Sequence, residues 1–167
     1  MSRTQWYIGA PNGVVVCVHR ADGEGIAGSF YHSYSPDPVP FRNLEQLVLG
    51  MERLYDRLNF PHPANSERTF GEERRPAATT IERKKIMSDE SLLRRHGDIG
   101  TFIVRVQHRQ NSSWQGRITW MEEDRTIQFR SIWEMIKLIE SAVDTVSHPE
   151  GPEETALTWF DDKTDGE

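Results

Sequence analysis

Cysteine is nearly absent from this chain of 167 residues, in which Cys17 stands alone. One thiol excludes an internal disulfide and a cysteine-rich zinc site, and it agrees with a reducing compartment, so the cytoplasm is the expected location. Long apolar runs are missing as well. The stretch Val14–Val18 is far too short to cross a bilayer, and the opening MSRTQWYIGAPNG lacks the apolar core of a signal peptide, so no membrane is expected as a partner. The glycine loops of familiar chemistry are missing too, since neither a phosphate loop nor GxGxxG nor GxSxG occurs.

Metal and nucleophile sets fare no better. The histidines, His19, His32, His62, His96, His108 and His148, show no spacing that would place two on one helix face, so neither a metal nor a cofactor is expected. Cys17 and His19 pair a thiol with a base. Two residues apart on a strand they share a face without converging on a pocket, so no catalytic residue is assigned.

Charge is present but uneven. Residues 1–73 carry 6 Lys/Arg and 9 Asp/Glu, residues 74–117 carry 10 and 4, and residues 118–167 carry 4 and 13. A basic middle between acidic ends can reach a nucleic acid, meet an acidic protein, or be neutralised by its own tail.

The strongest internal signal is a repeat. FRNLEQLVLGMERLYD at 41–56 is answered 88 positions later by FRSIWEMIKLIESAVD at 129–144. Residues 14–58 lie over 102–146 without a gap, with identities at Val16/Val104, Val18/Val106, Gly28/Gly116, Phe41/Phe129, Arg42/Arg130, Glu52/Glu140 and Asp56/Asp144. Apolar positions match as well. Leu44, Leu47, Val48, Met51, Tyr55 and Leu58 stand over Ile132, Met135, Ile136, Ile139, Val143 and Val146, at the three- and four-residue spacing of a helix face. Asn43 before Gln46 and Ser131 before Glu134 predict capping boxes, so the helices begin at Leu44 and Ile132.

Ahead of each helix the period changes to two. Val14, Val16 and Val18 in one copy and Phe102, Val104 and Val106 in the other read as strands, with hairpin turns at 22–25 and 110–113. A third short strand runs into each Phe-Arg pair, and the prolines of SPDPVP mark the first as an edge. The expectation is an α+β protein, a tandem duplication of a β-β-β-α unit forming a pseudo-twofold dimer within one chain. The units are 1–60 and 100–147, joined by a basic linker at 61–99 and followed by an acidic tail at 148–167. In the linker, SDESLLRRHG predicts a short helix capped by Ser88 or Asp89 and ended by Gly97, bringing Leu92 and Leu93 onto the core. The tail, with Leu157, Trp159 and Phe160, is either a docked strand or an acidic-aromatic peptide.

With folding accounting for most residues, the expected function is a non-enzymatic binding or adaptor module for a protein partner. Its candidate residues are Arg105, Arg109, Trp114, Arg117 and Trp120 on the second copy, with Trp133 beside them, because Trp and Arg concentrate at the energetic centres of interfaces. The tryptophans can equally fill the seam between sheet and helix. Arg42 and Arg130 precede the two helices, where each ties its strand to a neighbour or both offer donors to an anion. Nucleic acid is the first alternative partner, since a three-stranded sheet followed by a helix is similar in layout to the plant ethylene-response DNA-binding domain and to integrase arm-binding domains. A small enzyme with a site between the units, lined by Arg42, Arg130 and histidines, is the second. The WQG and FRS elements of the second copy resemble a family of short uncharacterised bacterial and phage proteins. That resemblance implies a bacterial or phage origin and no activity.

Overall fold

The computed structural model describes Ile8 and residues 12–61, 84–110 and 113–148, so the acidic tail and most of the linker fall outside the described residues. The chain forms β1 (Gly13–Asp22), β2 (Gly25–Tyr31), β3 (Val39–Phe41), α1 (Leu44–Leu58), α2 (Asp89–Leu93), β4 (Gly100–Gln110), β5 (Ser113–Trp120), β6 (Arg125–Phe129) and α3 (Ile132–Ser147). It is an α+β arrangement with one antiparallel sheet in the order β3-β2-β1-β4-β5-β6.

Local chemistry accounts for most of these boundaries. Asn43 accepts a hydrogen bond from the N–H of Gln46 at 2.8 Å, and Ser131 accepts one from Glu134 at 3.0 Å, so both helices start under a side-chain cap. The return arm of the box differs from expectation. Gln46 accepts from the N–H of Arg42, one residue before the cap, and Glu134 turns instead to the Arg130 guanidinium at 3.6 Å. α1 ends at Asn59 in the left-handed region (φ 51°), whose N–H closes onto the last carbonyls.

The two hairpins share a device. β1 carries a bulge between Val18 and Arg20, and β4 carries one between Val106 and His108. Each lies next to a glycine that cannot be replaced, because a Cβ on Gly28 would stand 1.9 Å from the Cys17 carbonyl oxygen and one on Gly116 would stand 2.0 Å from that of Arg105. Those close approaches explain why Gly recurs there. β3 is short and contains Pro40, so the sheet ends in an edge that offers little to a further strand.

At the centre, β1 and β4 zip Gly13–Val18 against Gly100–Arg105, with Val15 opposite Ile103. Within the sheet the two halves are therefore joined by a backbone ladder. The main core lies between one face of the sheet and helices α1 and α3, and contains Val16, Phe30, Phe102, Val104, Ile118 and Trp120 from the strands. From the helices it takes Leu47, Met51, Leu54, Tyr55 and Leu58, and Met135, Leu138, Ile139, Ala142 and Val143. Leu54, Leu138 and Ala142 join the expected face, because the buried stripe is wider than the repeat alone suggests. Val146 leaves it, at 47% exposure, whereas Leu58 in the corresponding place is fully buried. Among the described residues no helix is long and apolar enough to cross a membrane.

Candidate functional site

The sheet face turned away from α1 and α3 is divided. On the β1–β2 side, Val15 and Cys17 are buried beneath Ile8 and Leu92, with Tyr31, Met87 and Leu93 packed around them. Hydrogen bonds hold this cover in place: Ile86 and Met87 donate to the Ser33 carbonyl at 2.7 and 2.9 Å, and Ile99 donates to that of Val18 at 2.9 Å. Ser88 caps α2, as expected, by accepting from the N–H of Ser91. Two expectations for this segment are corrected. The helix stops at Arg94 instead of Gly97, and Gly97 serves where the chain crosses β1, since a Cβ there would come within 2.5 Å of the Val18 backbone. Leu92 enters a second small core on the far side of the sheet, not the core beneath the long helices.

On β5 and β6 the same face is largely exposed among the described residues, whereas Thr101 and Ile103 of β4 are buried. Arg105 stands directly opposite Arg117, Arg117 opposite Gln128, and Thr119 opposite Thr126. Arg117, Thr126 and Gln128 are exposed, while Arg105 and Thr119 are half-buried. The Thr119 and Thr126 hydroxyls lie 2.8 Å apart. Like charges facing each other across a strand pair repel, and Arg117 forms no ion pair among the described residues. Two arginines paired across the strands and flanked by hydroxyl and amide side chains are donors suited to carboxylate or phosphate oxygens.

The other residues selected from sequence are elsewhere. Alternation along β5 sends Trp114, Ile118 and Trp120 to the helix side and Arg117 and Thr119 to the bare side. Trp114 and Trp120 are 2% and 1% exposed, the first edge-on to Tyr55 and the second stacked on Phe102. They fill the core and lie out of a partner's reach. Arg109 follows the β4 bulge onto the helix side and is 6% exposed. Its Nη1 donates to Asp56 Oδ1 at 2.8 Å, its Nε donates to the Pro61 carbonyl at 2.7 Å, and its guanidinium lies 5.6 Å from the Tyr55 ring centre. Arg109 is a structural cation. Asp56 is its carboxylate partner, with about half of its side chain still in solvent.

Arg42 and Arg130 do not converge, because they follow β3 and β6, the two edges of the sheet, roughly 24 Å apart at ordinary strand spacing. Trp133 is exposed, with Lys137 Nζ 4.6 Å above its ring, but it sits on α3 behind the sheet from Arg105 and Arg117. Thus the fold brings together Arg105 and Arg117 of the candidates. It adds Thr119, Thr126 and Gln128, which strict alternation along β5 and β6 could have revealed.

Burial pushes the Cys17 thiol up to about 12, and the nearby Glu122 charge pushes the same way, so it stays protonated at neutral pH. His19 lies 3.2 Å from Asp98 at the surface. Among the described residues no group of three His, Cys, Asp or Glu side chains could hold a metal ion. No protein-family model, curated protein or solved structure matches this chain.

Proposed function

We propose that the protein is a non-enzymatic binding or adaptor module of bacterial or phage origin that engages an acidic surface of a partner protein through Arg105 and Arg117. The observation that supports this reading is the cross-strand pairing of Arg105 with Arg117 on the outer sheet face, where Arg117, Thr126 and Gln128 are exposed. The same donors suit phosphate, so a nucleic acid is the competing outcome of the test. Affinity capture from the native host with the parent and with an Arg105→Glu, Arg117→Glu variant separates the cases. An acidic protein retained by the parent and lost by the variant supports the proposal. Retention by both overturns it, and salt-sensitive binding of DNA or RNA by the parent alone transfers the face to nucleic acid.

We further infer that the chain is a tandem duplication of a β-β-β-α unit, related by a pseudo-twofold axis through the Val15–Ile103 pair. The pairing registers support this. An offset of 88 carries the pairs Val18–Gly28, Ala21–Ile26 and Gly28–Phe41 onto Val106–Gly116, Arg109–Trp114 and Gly116–Phe129, and it exchanges Val14–Val104 with Phe102–Val16. A solved structure in which β1–β2–β3–α1 failed to superpose on β4–β5–β6–α3 would exclude it.

A further inference from the structure

Among the described residues, one of the two hairpin–helix contacts is hollow where the other is filled. A cleft of ≈ 590 Å³ opens between the β1–β2 hairpin tip and the C-terminal half of α3, lined among others by Ala21, Ile26, Glu140, Val143 and Asp144. Its size is that of a small-ligand site. Taking the duplication proposed above, the positions corresponding to Ala21, Ile26 and Val143 are Arg109, Trp114 and Tyr55. In that half Trp114 packs edge-on against Tyr55, and the Arg109 guanidinium lies over the Tyr55 ring with its Nη1 on Asp56. Three large side chains have small counterparts around the cleft, while the carboxylate is kept, since Asp144 corresponds to Asp56.

We propose that this cleft receives an arginine side chain presented by a partner protein, which takes the place that Arg109 occupies in the other half. Asp144 accepts from the guanidinium as Asp56 does, at the 2.8 Å seen for Arg109. Asp22 and Glu140 add negative charge to the lining. The side chains already paired with these carboxylates do not prevent this. His148 pairs with Asp144 at 3.1 Å and Lys137 with Glu140 at 3.5 Å, both at exposed positions where an ion pair contributes little and is readily exchanged. Arginine fits better than lysine because a planar fork can meet a carboxylate while lying flat on the apolar floor of Ile26 and Val143. The surface is separate from the bare face, so arginine docking here and acidic docking at Arg105 and Arg117 can occur together.

The test is a ¹H–¹⁵N titration of the full chain with N-acetylarginine N-methylamide. The expected result is saturable shifts, in the millimolar range of a single side chain, at residues 21–26 and at Ser141 and Asp144. The neutral citrulline analogue should leave them unmoved, Asp144→Asn should weaken binding about tenfold, and Ala21→Arg with Ile26→Trp should close the cleft to it. Shifts that fail to saturate, appear equally with citrulline or survive Asp144→Asn overturn the proposal. The proposal rests on the duplication, and Arg109→Ala distinguishes the two. If that variant takes the analogue at Asp56 while the parent takes none at Asp144, the cleft proposal falls and the duplication stands. Saturable binding at Asp144 in a chain whose halves did not superpose would leave the cleft standing alone.

Discussion

The two halves of the sheet have nearly the same pairing and opposite treatment of their outer faces. Where the second half sets Arg105 opposite Arg117, the first sets Cys17 opposite half-buried Ser29 and buries Cys17 under the segment around α2. Small and apolar side chains face the cover, and polar and cationic ones face solvent. The contrast teaches that the helix-side face holds the fold together in both halves, while the outer face is free to differ. Once covered, that face becomes a second core; left bare, it becomes a surface with donors to offer.

The sharpest way to break this contrast is at Leu92, which is fully buried. Leu92→Ala removes the centre of the cover and should cost about 2–5 kcal/mol, read as a lower urea midpoint, with faster reaction of Cys17 towards thiol reagents. If stability is unchanged, the cover is an accessory and the halves are equal in this respect.

Acid should weaken the first half selectively. His32 is 3% exposed, and its Nδ1 accepts the Tyr34 N–H at 3.1 Å, so protonation would destroy that bond. Burial, and then the Arg57 charge, lower its pKa from 6.5 to about 4. A depressed folded-state value means that the unfolded chain takes up the proton first. Stability is thus fully present above about pH 6.5 and falls until about pH 4, by up to about 3 kcal/mol. The corresponding residue of the second half is Trp120, which does not titrate. Glu122 is raised by burial and acts with the opposite sign, so the measurement is the difference between parent and His32→Gln across this window.

Arg109 and Arg117 sharpen the comparison within one hairpin. Arg109→Ala loses packing on Tyr55 and a buried guanidinium, but it leaves Asp56 half in solvent, so a loss of about 1–3 kcal/mol is expected in thermal or urea unfolding. Arg117→Ala on the bare face should shift stability by less than about 0.5 kcal/mol. The helix caps give the control that both halves should pass alike. Asn43→Ala and Ser131→Ala should each cost about 1 kcal/mol in the same assay, and a large inequality would show that one helix is held mainly by its tertiary contacts.

Much of the architecture is legible in the residues because it depends on near neighbours. Capping needs a polar side chain three residues before a free N–H, helix amphipathicity needs spacings of three and four, and a hairpin needs a turn between alternating runs. These placed α1, α3 and the hairpins at their observed positions. The candidate site was legible only for Arg105 and Arg117. Arg109 was misread because a bulge shifts the register after Val106, and strict alternation from Phe102 cannot see it. Trp114 and Trp120 stay open in the sequence because large aromatics suit a core and an interface equally well, and only burial decides for the core.

The amino-acid sequence by itself determined the local units, their caps and turns, and the faces that must be buried, since period and propensity act within a few residues. Only the tertiary structure decided what became of the faces left over. The β1–β4 ladder joined the halves into one sheet, and the chain between Lys84 and Ile99 crossed β1 and covered one outer face. Those contacts join residues far apart in sequence, and their energy depends on burial and pairing that no local pattern specifies.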